Sequence, residues 1–280
     1  RDYYASRGLG DVYKRQMYAR FGSKVTILQN GSVFLPKEDR DMAEAVENVL
    51  KSYGVSVITG AGLKEIKEGT AVYTKNGEED TLDGDAILLA TGRGPNTEGL
   101  HAERAGVELT KRGAVVIDKH LRTTAENIWA AGDVCGNLQF TYISLDDSRI
   151  ILSDMQGDES RTTENRGAFA YSVFMEPSFS RVGLSEKEAA DKGLNYRVVR
   201  MNTDMIPKAK VLRKTTGMLK AVIDKDSGKI LGAALFCPES YEIINMVKLA
   251  MDHDLDYTVL RDFIYTHPTM SEGLNDLFAL

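Results

Sequence analysis

Cysteine is nearly absent: 280 residues hold two, Cys135 and Cys237, far apart in the chain. That pair builds no disulfide framework and has no metal-ligand spacing, so no bound metal is expected. Six prolines and 25 glycines exclude a collagenous or low-complexity chain. No apolar run approaches the roughly 20 residues of a membrane-spanning helix. An excess of positive charge is also lacking: 35 Lys and Arg stand against 41 Asp and Glu, a net charge of −6. That balance argues against nucleic acid or an anionic membrane as partner. With no secretory apolar segment, a reducing cytoplasmic setting is expected. What is present is an ordinary globular composition, 42% apolar and 27% charged. Its length suits about two domains of roughly 100–200 residues each.

Residues 1–16 are rich in Arg, Tyr and Gly and show no helical or strand periodicity. Gly8-Leu9-Gly10 hints at a nucleotide loop, but no apolar strand precedes it to aim its amides at phosphate. The segment is expected to be an unrelated, disordered leader. From Met17 the pattern sharpens. Residues 25–28 read as a buried strand, 41–53 as an amphipathic helix closed by Gly54, and 55–58 as a second strand. Strand, helix, strand predicts a parallel crossover. Residues 63–74 and 80–82 read as antiparallel strands around the turn Asn76-Gly77. The apolar run 86–90 predicts another buried strand, as do 113–118 and 128–131. A helix is expected near Thr141.

Beyond a polar stretch at 154–167 the character changes. Residues 171–174, 196–201, 218–224 and 230–236 read as strands, the last two joined by a hairpin. A capping box, Ser185 with Glu188, opens a short helix. Residues 239–251 carry an amphipathic stripe. This half predicts helices packed on an antiparallel sheet.

Three strings carry candidate chemistry. In the first, Gly92, Arg93, Gly94, Pro95 and Asn96 follow the apolar run 86–90. A glycine turn after a buried strand lies at the sheet edge where open α/β sheets bind ligands, although it is also an ordinary turn. In the second, Gly132-Asp133 follows an apolar run. That carboxylate suits sugar hydroxyls, or it caps a helix. In the third, His267 lies five residues before Glu272. A histidine held by a carboxylate has a fixed tautomer and suits acid/base work. Equally, Thr269 and Glu272 form a capping box.

In this order the three strings resemble the pyridine nucleotide-disulfide oxidoreductases, over residues 17–280. Residues 139–143 and 206–211 are similar to the reactive-chlorine-resistance and mercuric-reductase-like branch. No vicinal cysteine pair follows Leu277, so mercuric reduction is not expected. The resemblance implies an α/β fold: partial Rossmann-like FAD- and NAD(P)-binding domains, then an α+β dimerisation domain. It implies an NAD(P)-binding part at 17–93, an FAD-binding part at 94–165 and a dimerisation domain at 166–280. It makes Asp133, after Gly132, the flavin ribitol ligand. Phe140, Thr141 and Tyr142 take the pyrimidine edge, and Gly92 and Arg93 lead back into the flavin domain. His267 and Glu272 become the catalytic pair, reaching across a homodimer.

The family's flavin-phosphate glycine loop and its Cys-x4-Cys pair are not found in this sequence. Both cysteines therefore read as structural. Gln29 ends the strand where NAD-using members carry an acid, and Leu63 joins it in the cofactor-binding set. No cation lies within residues 30–35 to take an extra phosphate, which favours NADH over NADPH. The expected activity is transfer of hydride from NAD(P)H through FAD to a disulfide or a small oxidant. The alternative is a non-catalytic piece that keeps only nucleotide-binding and dimerisation folds. His101, His120 and His253 read as surface residues and Trp129 as core packing.

Overall fold

A computed structural model describes residues 10–90 and 92–280, with side chains from residue 14 onward. Residues 1–9, most of the expected leader, lie outside the described residues. The chain divides into two compact units, Leu89–Gly167, and residues 10–88 together with Ala168–Leu280.

The larger unit is layered on a five-stranded antiparallel sheet. Its strands are β6 (Ala170–Val173), β7 (Phe179–Gly183), β8 (Tyr196–Asn202), β9 (Met218–Asp224) and β10 (Ile230–Phe236), in the order β6-β7-β10-β9-β8. One face is covered by α6 (Ser240–Asp252) and α8 (Gly273–Ala279). There Ile243, Val247, Leu274 and Leu277 pack on Leu219, Ala221 and Leu235. On α6 the apolar residues recur at helical spacing, so one stripe meets the sheet.

Phe179 and Phe236 face the other way. They pack with Met42, Val46, Val49 and Leu50 of α2 (Arg40–Ser52) and Ile27 of β1 (Thr26–Gln29). Strands β1 and β2 (Ser56–Thr59) pair in parallel through α2, as the crossover reading predicts. The meander β3 (Gly62–Lys67), β4 (Thr70–Lys75) and β5 (Glu78–Asp83) follows. Its second turn is Asn76-Gly77, both at positive φ, the geometry of a tight two-residue hairpin.

Several expectations are corrected. Residues 10–16 are not structureless: they begin α1 (Gly10–Arg20). The amide of Gln16 donates to the carbonyl of Glu176 at 2.6 Å and accepts its N–H at 2.7 Å. Such tertiary bonds leave no trace in local periodicity. The run 86–90 is not a buried strand: it is irregular, and Ile87, Leu88 and Leu89 are exposed. A strand needs neighbours for its backbone N–H and C=O groups, and no described strand lies beside it. The strands expected at 113–118 and 128–131 shrink to isolated bridges, Leu109 with Val115 and Arg122 with Trp129.

The smaller unit is instead built on α3 (Thr141–Met155), which buries its acidic side. Asp154 accepts from Arg122 Nε at 2.9 Å and Trp129 Nε1 at 2.8 Å; Trp129, expected as core packing, is only half-buried and is anchored by this bond. His120, expected at the surface, is only 6% exposed beside Asp154.

Candidate functional site

In the smaller unit, Arg93, which follows Gly92, together with Gly132 and Asp133 lies by the amino end of α3, where residues 140–142 begin the helix. Gly132 sits at φ 75° and turns the chain tightly against that helix. A Cβ there would lie 2.7 Å from Ser144 Oγ and 3.3 Å from Ser144 Cβ, so at this positive φ glycine favours the close approach of the two elements. The Gly132 N–H donates to Asp147 Oδ2 at 2.8 Å. Asp147 is itself paired with Arg166 at 2.7 Å. This support of the turn by a buried aspartate was not read from the sequence. Its only signal is the pair Asp146-Asp147 on the inward side of α3.

The turn leaves the Asp133 side chain 48% exposed, 3.7 Å from Arg93 Nη1. Arg93 Nη2 donates to the Gln139 carbonyl at 2.9 Å, tying the first string to the approach to α3. Asp133 lies within the short turn of helix Gly132–Cys135, whose N-cap is Ala131, so it is not itself the residue that caps it. Phe140 and Tyr142 stack at 5.5 Å between ring centroids. Phe140 is extended at the N-cap, with no side-chain cap on the helix. A half-exposed carboxylate beside a helix amino end offers one acceptor for hydroxyls and one positive pole for anionic charge. That combination fits the ribitol and pyrimidine end of a flavin.

In the larger unit, Gln29 ends β1 and pairs with Thr59. Its carbonyl accepts the Ala61 N–H at 3.0 Å, which carries the chain on to Leu63 in β3. A Cβ at Gly31 would stand 3.2 Å from Gln29 Nε2, so the glycine leaves room for this amide. The Gln29 amide and the turn after it form a neutral edge fit for a ribose diol. Arg40, a cation near this edge, is already engaged. Its guanidinium donates to the carbonyls of Phe34 at 2.8 Å, Leu35 at 2.6 Å and Glu38 at 2.8 Å. Sequence reading missed this clip, because backbone acceptors carry no residue signature.

His267 and Glu272 meet: Nδ1 lies 2.8 Å from Glu272 Oε2. The His267 side chain is 70% exposed and that of Glu272 only 15%. Half of the capping box also forms, since Thr269 Oγ1 accepts the Glu272 N–H at 3.3 Å. The Glu272 carboxylate, however, turns to the imidazole and not back to the Thr269 amide. Asn275 Nδ2 donates to the carbonyls of Arg261 at 2.6 Å and Phe263 at 3.0 Å, which steadies the loop below the histidine. Ile264 and Phe263 stand exposed on that loop.

Both cysteines are buried, and neither is in a disulfide. Burial pushes the Cys135 thiol up to about 11 and the Cys237 thiol up to about 12. Neither is a ready thiolate, in keeping with structural roles. Among the described residues no cluster of His, Cys, Asp and Glu is placed to hold a metal ion, and no helix is long and apolar enough to cross a membrane.

Comparison with known proteins places these sites in a family. The family model described as Pyridine nucleotide-disulphide oxidoreductase matches residues 15–148, and that of its dimerisation domain matches residues 169–278. A protein of Escherichia coli described as a probable pyridine nucleotide-disulfide oxidoreductase, RclA, is 49% identical over 264 residues, covering 94% of this chain and 60% of its own length. A mercuric reductase of Staphylococcus aureus is 33% identical over 264 residues, covering 92% of this chain and 48% of its own. A solved structure of RclA, described as an HOCl-induced flavoprotein disulfide reductase, superposes with a TM-score of 0.92 at 47% identity, over 99% of this chain and 63% of that one. This chain therefore spans about 60% of the length of the E. coli relative. Asp133, Gln29 and the His267–Glu272 pair lie within the matched segments, and the chain belongs to the pyridine nucleotide-disulphide oxidoreductase family.

Proposed function

We propose that the full-length protein is an FAD-dependent oxidoreductase that takes hydride from NADH and delivers it to a dithiol/disulfide centre, working as a homodimer in the cytoplasm. In this reading residues 17–93 belong to the nucleotide domain, 94–165 to the flavin domain and 166–280 to the dimerisation domain. The flavin, when bound, carries the hydride between nicotinamide and sulfur. Asp133 binds ribitol hydroxyls through charge-assisted bonds. The amino end of α3, at Phe140, Thr141 and Tyr142, favours negative charge on the pyrimidine edge. Arg93, following Gly92, flanks the same carboxylate.

The observation that carries the reading is the His267–Glu272 pair. With Nδ1–H donated to the carboxylate, Nε2 is left as the basic atom on an exposed ring edge. In this reading that atom accepts a proton from a cysteine thiol of the partner subunit and returns it. Glu272 fixes the tautomer and supports the charged ring. The exposed Ile264 and Phe263 beside it suit a self-complementary two-fold contact.

NADH is favoured over NADPH. Residues 30–35 carry no cation, Gln29 is neutral, and the Arg40 guanidinium is engaged by three carbonyls. The exposed run 86–90 supports a narrower reading for the 280-residue chain by itself: it holds only part of each nucleotide site and binds free flavin and NADH weakly. The test is to purify the full-length protein. A bound yellow chromophore and oxidation of NADH in preference to NADPH, coupled to a disulfide acceptor, are the expected results. A protein that stays colourless after incubation with FAD would overturn the assignment.

A further inference from the structure

The larger unit buries two cations of its five-stranded sheet, Lys220 and Arg181. Lys220, in the middle of β9, is 2% exposed. Its ammonium is 2.9 Å from Asp39, 2.9 Å from Asp41 and 2.7 Å from Glu186. One strand further across the sheet, beyond Ala234 of β10, which pairs with both residues, Arg181 of β7 is also buried. Its guanidinium donates to the Lys37 carbonyl at 2.8 Å and meets the carboxylates of Glu38 and Glu188. The Tyr171 hydroxyl donates to Glu38 at 2.6 Å. Asp39 accepts the first backbone N–H groups of α4 (Glu186–Asp191), those of Glu186 at 3.0 Å and Lys187 at 3.1 Å. Asp41 accepts from Arg200 of β8 at 2.8 Å. Three acids from one four-residue stretch, 38–41, thus grip β6, β7, β8, β9 and α4.

Such a cluster is a poor way to gain stability. Well-packed apolar side chains serve as well or better, because the desolvation of buried charge offsets the attraction between the ions. Packing of α2 on the sheet is already provided by Met42, Val46 and Val49. What charge adds is geometric definition, since each bond has a preferred length and direction. The element it defines is the end of the loop that begins at Gln29. That loop runs through Gly31, whose carbonyl accepts the Gly60 N–H at 2.9 Å, to buried Phe34. It is then clipped by Arg40, which stands between Asp39 and Asp41 and binds the carbonyls of residues 34, 35 and 38.

We propose that Lys220 and Arg181 are positioning residues for the adenosine end of the nicotinamide nucleotide. Through Glu38, Asp39 and Asp41 they hold loop 30–37 in the shape that presents Gln29 to the ribose. The ligand class is an adenosine diphosphoribose moiety with a free ribose diol. The inference rests on the reading of Gln29 as the ribose edge. It adds that the dimerisation sheet, which touches no nucleotide in that reading, sets nucleotide affinity.

The experiment uses the full-length protein with Lys220→Met and the milder Asp39→Asn, which loses charge but keeps an oxygen acceptor for α4. Two readouts are taken: hydrogen exchange of peptides covering residues 30–41 and 273–279, and the dissociation constant for ADP-ribose by calorimetry. Steady-state kinetics with NADH accompany them. Exchange should quicken at 30–41 and stay unchanged at 273–279. ADP-ribose affinity should fall, and the KM for NADH rise, by about tenfold, with kcat and flavin content retained. Gln29→Ala separates the two claims, since it tests the ribose edge without touching the ion cluster. Unchanged exchange at 30–41 in both variants overturns the proposal. So does faster exchange with unaltered ADP-ribose affinity while Gln29→Ala weakens binding. If Gln29→Ala also binds normally, the ribose-edge reading falls and the proposal falls with it.

Discussion

Gly132→Ala probes the turn that delivers Asp133. The backbone there has φ 75°, which costs a residue with a Cβ about 1–2 kcal/mol. The new methyl would lie 2.7 Å from Ser144 Oγ and 3.3 Å from Ser144 Cβ. Relieving such overpacking costs about 1–3 kcal/mol. Reduced freedom of the unfolded chain returns about 0.4–1 kcal/mol. The net loss is then about 3 kcal/mol. Urea unfolding of the smaller unit, followed through Trp129, measures it. The double variant Gly132→Ala/Ser144→Ala separates the two contributions, because it removes the Oγ contact and leaves the φ cost. Recovery of at least about 1 kcal/mol in the double-mutant cycle is expected. A single variant within about 0.5 kcal/mol of wild type, or a cycle with no coupling, would refute the close approach of the turn to α3.

Asp133→Ala in the full-length protein should weaken flavin retention by about 1.5–3 kcal/mol, roughly a factor of 10–150, read by dialysis and absorbance; unchanged retention would make Asp133 a plain turn residue. The ion cluster predicts a particular acid response. Burial opposes ionisation of Asp39 and Asp41, but it is outweighed. Asp39 is bonded by Lys220 and the α4 amides, Asp41 by Arg200 and Lys220, and both carboxyls are held below their ordinary value of 3.8. A depressed carboxyl contributes fully above its unfolded value and loses that contribution as pH falls through the folded one. The stability gap between wild type and Asp41→Asn in urea should therefore be flat at neutral pH and close below pH 3.8; a gap that widens on acidification would contradict it. Iodoacetamide should label neither Cys135 nor Cys237 in native protein at mild alkaline pH and both in denaturant, with mass spectrometry as the readout; rapid native labelling would undo their structural assignment.

The elements legible from sequence are those whose cause is local. Helices α2 and α6 show their stripe because burial recurs every three or four residues. The Asn76-Gly77 hairpin is legible because few residue pairs accept two positive φ angles in succession. Strand β7 was missed, since its buried Arg181 interrupts the apolar run, and one of its two compensating acids, Glu38, lies 143 residues away in the chain. A larger separation, 179 residues between Lys220 and Asp41, hides the ion cluster around Lys220. The run 86–90 fails in the opposite direction: its composition is that of a buried strand, but strand formation depends on neighbours that composition does not reveal. At the candidate sites, residue identities were readable from three short strings. Their supports, Asp147 under Gly132 and Arg40 around residues 34–38, act through backbone groups and were not.

The central claim is that His267, oriented by Glu272, moves a proton at the dimer interface. Turnover of His267→Ala and Glu272→Gln in the full-length protein, measured beside thermal stability, dimer mass and flavin content, tests it most directly. Positioned acid/base groups contribute about 100- to 10,000-fold, so His267→Ala should lose turnover on that scale while dimer and flavin persist. Glu272→Gln should lose less, because an amide still bonds Nδ1 and leaves the main-chain bond to Thr269 in place. If both variants melt early yet turn over normally, Glu272 serves only the start of α8 and the catalytic assignment is wrong.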